Sequence, residues 1–484
     1  MGKGHVLDDG TWDDLGMDEV FDLVDGTTTT AGRAFLYGAL RAPLTDAEEL
    51  GRRRDEVAAL LADPEERRRV RETLRRAVRD DEVDVFGRLG DDERKGAWKK
   101  AVYPLLAAAE IAAAVLWALS GLPGFLAFLV LTCTNITVHY LEKMRLAQRA
   151  AVLCAFHWVL VEGRLIQRSR MRSFARERAL LAQMLPRCRK LMNRTALFLP
   201  RGPAVDVMQV FAEYLNMTLL LEAISCVYSL HECAARRDDL LAIWAAVGAI
   251  DALSGVAVRA AERPMVSLPS YLPGEARIRA SAVVHPALGD PVANPASLRR
   301  PGIVLTGVNM SGKSTYLRTV AVNQILAQSV GMVFARDYEC GLFRVASSMA
   351  RADNLAGGES LYLCEARRIL AILSLAGSEG PPVLAFLDEV FSGTNSPERI
   401  AITIALLGHL EREGAVVLLA THDLEIPGRM AGGHECIHLR DSASGEGMRF
   451  DFKLEPGIVT ERNAAKLLGL LGYPKAMLER IRYD

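Results

Sequence analysis

The sequence predicts a multidomain protein of the α + α/β class: a helical core or lever followed by an α/β domain, with an apolar helical hairpin inserted in the core. Three observations carry this. Apolar residues recur at three-and-four spacing from about Asp18 to Arg79, and helical periodicity resumes from Glu142 to about Arg263. Two adjacent apolar runs, residues 101–119 and 125–140, stand between these stretches. Beyond Glu262-Arg263-Pro264, short β-type runs alternate with helical stretches, the pattern of a parallel α/β sheet. A chain of 484 residues, 50% apolar and 24% charged, is too long for one small domain and too apolar for a disordered one. With 58 Lys and Arg against 59 Asp and Glu, the net charge is −1, so any nucleic-acid binding has to come from a local patch. The mean hydropathy of +0.13 is on the apolar side for a soluble protein and directs attention to a lipid-facing segment.

The first helical stretch is marked by Val20, Phe21 and Val24, by Ala34 to Leu36 with Ala39 and Leu40, and by Val57, Leu60 and Leu61. An Asp25-Gly26-Thr27 break opening a run of threonines is a cap for the helix that holds Phe35. Pro43 and Pro64 punctuate the remainder, and Arg52, Arg53, Arg54, Arg67, Arg68 and Arg69 read as solvated helix faces. The opening MGKGHVLDDGTWDD has no apolar stretch, so no secretory peptide is expected. It also lacks a Ser or Thr at position 6 for myristoylation. The eight cysteines include no C-x-x-C pair and no cluster with His, which argues against a zinc site or a disulfide framework and fits a reducing, cytoplasmic setting.

Residues 101–119, AVYPLLAAAEIAAAVLWAL, hold one charge, and residues 125–140, FLAFLVLTCTNITVHY, hold no permanent one. Ser120-Gly121-Leu122-Pro123-Gly124 between them is a turn signal, so the pair reads as a helical hairpin. A membrane span needs roughly 20 apolar residues, which the first run meets and the second approaches. Lys95, Lys99 and Lys100 precede the hairpin and Lys143, Arg145 and Arg149 follow it, the flank bias expected when both ends face the cytoplasm. Trp98, Tyr103 and Tyr140 stand where interfacial aromatics would. The competing reading is a buried soluble hairpin, favoured by Glu110 and the many alanines. Further on, Arg164 to Arg194 contains ten Lys or Arg and one acid, Glu177, a patch able to contact phosphates of DNA or of anionic lipid; a solvated face is the commoner meaning of such a run.

The α/β part carries the chemistry. Gly307-Val308-Asn309-Met310-Ser311-Gly312-Lys313-Ser314 fits the P-loop pattern and directly follows the apolar strand Ile303-Val304-Leu305. Its glycines let backbone N–H groups approach phosphate oxygens, Lys313 reaches the β and γ phosphates, and Ser314 offers a hydroxyl to Mg2+. A second strand, Val383 to Leu387, ends in Asp388 and Glu389. Asp388 is the metal-side carboxylate and Glu389 the general base that activates water. A third, Val416 to Ala420, ends in Thr421-His422-Asp423, which puts His422 on the ligand side of an open α/β sheet, within reach of the γ-phosphate or the attacking water. A chance Gly-rich turn and a structural His are the bland alternatives, and the joint presence of the three strand ends weighs against them.

With these residues in view, GVNMSGKST (307–315), LDEVFSGTNS (387–396) and ATHD (420–423) resemble the ATPase domain of the MutS family of DNA mismatch repair proteins. Ile250 to Leu253 with Arg263-Pro264, then Val284 to Leu288, resemble that family's junction between helical core and ATPase; Gly457 to Ile481 resembles the start of its C-terminal helix-turn-helix; Asp22 to Leu61 resembles the start of its core. The resemblance implies an ABC-like P-loop ATPase that uses ATP and Mg2+ and pairs as a homodimer with composite sites. It implies nucleotide contacts from Gly307, Asn309, Met310, Ser311, Gly312, Lys313, Ser314 and Thr315, with Ser360 of the signature segment, 357–365, acting on the other copy's γ-phosphate. Val292 to Asn294 would lie beside the adenine, although PVANP lacks the aromatic often found there.

The sequence departs from the family in having no room for the mismatch-reading and connector domains, and it is short for clamp arms. The expected organisation is therefore core 1–95, hairpin 96–145, a second core part 146–263 and an ATPase 264–484. The expected function is ATP-driven dimer closure coupled to DNA backbone contact, in repair without aromatic-wedge mismatch reading. The alternative is a membrane-tethered, ATP-dependent interaction protein with incidental or no DNA binding. A transporter-type ABC ATPase is disfavoured because LSGGQ is absent.

Overall fold

In the computed structural model the described residues are 5–76, 98–196, 207–307, 311–349, 361–430, 433–444 and 447–458, with 473, 474 and 477. The chain runs α1 (Asp9–Asp14), α2 (Met17–Val24), α3 (Thr30–Arg41), α4 (Ala47–Ala62), α5 (Pro64–Arg75), α6 (Lys99–Ser120), α7 (Leu122–Arg168), α8 (Ala175–Met184), α9 (Arg189–Thr195), α10 (Val207–Leu219), α11 (Leu221–Ala235) and α12 (Arg237–Ala261). Strands then enter: β1 (Val266–Ser267), β2 (Ser270–Tyr271), β3 (Arg277–Val283), β4 (Asn294–Arg299), β5 (Gly302–Thr306), then α13 (Lys313–Val330), β6 (Val333–Phe334), β7 (Glu339–Cys340) and β8 (Arg344–Met349). The remainder is α14 (Leu361–Ala376), β9 (Val383–Asp388), α15 (Ser396–Arg412), β10 (Val416–Thr421), α16 (Glu425–Arg429) and the β11 (Glu435–Ser444) and β12 (Gly447–Pro456) ribbon. Two compact units result: residues 1–26, 36–64 and 253–484 form one, and residues 27–35 and 65–252 form the other.

The first unit is built on a six-stranded sheet of order β12-β11-β5-β10-β9-β8. The three apolar runs of the sequence are its centre, β5, β10 and β9, paired in parallel with Leu305 beside Ala420 and Ala420 beside Asp388. Every residue of these strands is buried, as expected where helices cover both faces. The sheet is not purely parallel: β12 returns antiparallel to β11, and a second sheet, β2-β7-β3-β4, mixes both senses. These additions escape an apolar-run reading because their strands are short or alternate, as β4 does. Helix α13 is buried almost throughout and receives α4, where Arg53 donates to the Ser329 carbonyl at 2.6 Å and Gln328 donates to the Leu44 carbonyl at 2.7 Å. Arg53 is thus no solvated-face residue: it is buried, with Nε also donating to Glu49 Oε1 at 3.4 Å.

The free edge of β8 is covered by the first helix. Asp8 caps α1 by accepting from Thr11 N, Thr11 Oγ1 accepts from Ser347 N at 3.1 Å, and Asp14 Oδ2 accepts from Met349 N at 3.1 Å and Ser347 Oγ at 2.9 Å. Side chains thereby occupy ladder donors that an edge strand would otherwise expose.

The second unit is helical. Thr29 caps α3 by accepting from Gly32 N, as the threonine run suggests, and the α12 carboxylate Asp251 accepts from the Thr28 and Thr29 amides at 2.9 and 2.7 Å and from both hydroxyls. Arg71 of α5 lies 3.3 Å from the same carboxylate. Glu162, on α7, is buried with Oε2 lacking a hydrogen-bond partner among the described residues; burial, reinforced by Asp251, pushes its carboxyl up to about 8.

The apolar runs form the α6–α7 hairpin, but the second does not stop at Glu142: with no Gly or Pro between Gly124 and Gly163, α7 continues for 47 residues. Lys99–Ser120 and Leu122–Glu142 are each long and apolar enough to cross a membrane, and 17% of each is buried in the protein; Arg237–Ala261 also qualifies but is 72% buried. The hairpin is polar inside and apolar outside. Glu110, Thr132, Asn135 and His139 are buried, with Thr132 donating to Glu110 and Asn135 donating to the Thr218 carbonyl at 2.7 Å, while Leu105, Ile111, Leu116, Leu126 and Val130 are exposed. Lys99 and Glu142 pair at 2.7 Å across its base. Trp98 and Tyr140 are exposed there, whereas Tyr103, expected among the interfacial aromatics, turns inward.

Candidate active site

The site forms where β5, β10 and β9 end side by side. After β5, Gly307 opens the loop and Gly312, at φ 100°, leads into α13. A side chain at Gly312 would be strained, and its Cβ would lie 3.1 Å from the Phe452 ring. Lys313 folds back so that Nζ donates to the Gly307 carbonyl at 2.9 Å. Ser314 Oγ donates to Asp388 Oδ2 across the loop. Ser311 Oγ is buried with no hydrogen-bond partner among the described residues, and Thr315 is exposed. Asn309, Met310 and Ser360 lie outside the described residues, as do 357–359 of the signature segment and most of 457–481.

Glu389 follows β9 in the left-handed region, φ 49°, and its amide donates to the Ala420 carbonyl of β10 at 3.0 Å. That conformation, costly for a residue other than glycine, aims its carboxylate at both neighbours: Oε1 is 3.7 Å from Lys313 Nζ and 3.3 Å from His422 Nδ1. The hydrogen bond with His422 holds Glu389 below its ordinary value and raises the imidazole, so each favours the other's charged form. Burial raises Asp388 against the pull of the Ser314 hydroxyl, and burial lowers Lys313 against the attraction of Glu389 and Asp388.

The structure therefore brings together Gly307, Ser311, Gly312, Lys313, Ser314, Asp388, Glu389 and His422. It adds three groups that the sequence did not single out. Arg399 of α15 clamps Asp423 with Nε and Nη2 at 2.7 and 3.0 Å, anchoring the residue after His422. Glu365 of α14 accepts from Phe391 N in the turn after Glu389. Phe452 of β12 sets its ring against Gly312, and Asn294 donates to its carbonyl at 2.8 Å, so an aromatic stands next to the loop although PVANP has none. Asp423, in the ATHD run, Glu365, at the end of the signature segment, and Asn294, in the stretch expected beside the adenine, lay in runs the sequence marked, whereas Arg399 and Phe452 did not. A small cavity beside Glu389 is lined by Ser392, Arg399, Thr421, His422 and Asp423.

Residues 303–483 match the family described as MutS domain V. A DNA mismatch repair protein MutS 2 of Haloarcula marismortui is 32% identical over 235 residues, 47% of this chain and 24% of its own. A DNA mismatch repair protein MutS of Natronomonas pharaonis is 32% identical over 260 residues, 51% and 30% respectively. The α/β part of this chain is thus similar to domain V of the MutS family. A third MutS relative, from Thermus thermophilus, is 30% identical over 210 residues, 43% of this chain. The chain spans about a quarter to a third of the length of these MutS relatives. The matched MutS domain opens within β5 and contains every residue of the strand-end cluster.

Proposed function

We propose that this chain binds ATP with Mg2+ and hydrolyses it at the ends of β5, β9 and β10. The observation that carries this is the convergence of a buried lysine, a hydroxyl touching a carboxylate, and a Glu–His pair at one point of the sheet. Ser314 and Asp388, two oxygen donors in contact, suit a hard divalent cation, and the partnerless Ser311 hydroxyl suits a phosphate oxygen. Mg2+ held by Ser314 and Asp388 would neutralise phosphate charge. Lys313 neutralises the phosphates, Glu389 takes the proton of the attacking water, and His422 orients Glu389 and contacts the water or γ-phosphate. Phe452 offers a face to the base. Ser360 from a second copy completes the site, so ATP binding drives pairing. Lys313→Ala abolishes turnover; hydrolysis at the wild-type rate in that variant would refute the site.

The paired protein contacts DNA through the backbone. Within Arg164 to Arg194, Arg164, Arg168, Arg170, Arg172 and Arg176 are exposed, while Arg187 and Arg194 are paired with Asp239 and Glu232. Filter binding with mismatched, branched and plain duplexes at two salt concentrations tests this: a flat preference with a steep salt slope is expected. A second reading, a membrane-tethered protein, is favoured by the hairpin's polar interior and apolar exterior, the arrangement of a helix pair facing lipid. Its ends and the ATP site then lie on the cytoplasmic side. Fractionation of the full chain and of a chain lacking 98–145 decides: full solubility of the intact protein would remove the tether.

A further inference from the structure

The turn that carries Glu389 is held by a chain of charges that begins at the N-terminal helix. Asp14 of α1, with its side chain fully buried, accepts from Met349 N, whose strand partner is Asp388, and its Oδ2 lies 3.0 Å from Nη2 of Arg368 on α14. Arg368 sits three residues after Glu365 on α14, a spacing that puts the two side chains on one face of the helix. Glu365 in turn accepts from the backbone N–H of Phe391. In this turn after β9, Glu389 and Phe391 both occupy the left-handed region, at φ 49° and 59°. Two residues outside the ring of contacts are shaped around it. The Asp14 carbonyl accepts from Arg318 Nε on α13 at 2.7 Å, and a Cβ on Gly10 would fall 2.4 Å from Arg368 Nη2, so only glycine at position 10 lets the guanidinium lie against α1.

We propose that Asp14, Arg368 and Glu365 are positioning residues for hydrolysis, and that α1 is a working part of the ATP site rather than a cover for the sheet edge alone. The proposal rests on the ATP-site reading above. A left-handed glutamate persists only where its surroundings hold it, and here the hold is the Phe391 N–H bond to Glu365, on a helix that Asp14 fixes through Arg368. Loosening any link lets Glu389 leave the place where it meets Lys313 and His422. Such misplacement lowers the rate of the chemical step and leaves the phosphate contacts of the P-loop untouched.

The test uses the full chain, with ATP turnover, equilibrium binding of a fluorescent ATP analogue and thermal unfolding as readouts. Asp14→Ala, Gly10→Val, Arg368→Ala and Glu365→Ala are each expected to lower kcat by about tenfold or more with the analogue's Kd within about twofold of wild type. Arg368→Lys, which keeps the charge, restores most of the loss. Thr11→Val removes a bond to the same edge strand but touches no member of the chain; it lowers the unfolding temperature and leaves kcat in place. A loss of kcat in Thr11→Val equal to that in Asp14→Ala, tracking stability in both, would overturn the proposal in favour of a plain edge cover, as would unchanged kcat across the four variants. Persistent hydrolysis in Lys313→Ala would instead remove the ATP-site reading, and the proposal with it.

Discussion

Glu162→Gln should abolish a pH dependence that this carboxyl imposes on the helical unit. In the folded chain burial pushes Glu162 up to about 8, against 4.5 for the exposed group. Between those two values the native protein keeps a proton that the unfolded chain has released. The unfolded state binds fewer protons, so stability falls as pH rises through this window and levels off above about pH 8. At about 1.4 kcal/mol per pH unit, the penalty is about 3 kcal/mol at pH 7 and about 5 kcal/mol once the native group also ionises. These are upper magnitudes, because local relaxation around a partnerless Oε2 reduces them. Glutamine has the same shape and no proton to lose, so the variant is as stable as wild type near pH 4.5 and more stable above it. Native-state hydrogen exchange of the amides from 156 to 166, corrected for intrinsic rates, measures the effect locally. Wild-type protection that is flat or rises between about pH 5 and 8, or an equal slope in the variant, would refute the reasoning.

Asp251→Ala leaves the Thr28 and Thr29 amides and Arg71 without their shared acceptor and should cost about 3–5 kcal/mol, read as a fall in the unfolding midpoint of the helical unit. Arg399→Ala should release Asp423 and lower kcat by about tenfold while nucleotide affinity changes little; unchanged turnover would mean that His422 is held by the strand alone. Replacing Arg168, Arg170, Arg172 and Arg176 by serine should weaken plain-duplex binding and make its salt slope shallower by up to about 4, with circular dichroism to check folding.

What could be read from the sequence was what sits close together along the chain. The P-loop, the two acids after Val383 to Leu387 and the histidine after Val416 to Ala420 are each a strand with its own end, and parallel pairing puts those ends side by side. The hairpin was legible because a proline and two glycines separate two apolar runs. Partners brought in from afar left no such trace. Ser347 and Thr11 are 336 positions apart, so nothing in DDGTWDD announces that its threonine and aspartate serve a strand edge. Phe452 arrives on a β-ribbon whose alternating polar residues hide it, and the left-handed turn at Glu389 is a property of its supports rather than of its own residue type. Arg53 shows the converse: a charge on a helix reads as solvated until another helix, here α13, presents a carbonyl to it.

Helix α7 has a consequence for where any polyanion can be held. Its 47 unbroken residues make a rod of about 70 Å, and from Glu142 at the hairpin base to Arg164, where the cationic run starts, the rise is about 33 Å. Screening in physiological salt erases surface charge attraction over about 8 Å. In a copy seated in a bilayer by its hairpin with the rod upright, Arg164 and Arg168 stand several screening lengths out into the water, whereas Arg194 turns back beside Tyr228, whose hydroxyl reaches the Lys100 carbonyl near the hairpin base. In that setting the helix would act as a standoff that holds Arg164 and Arg168 away from the surface on which the hairpin is seated.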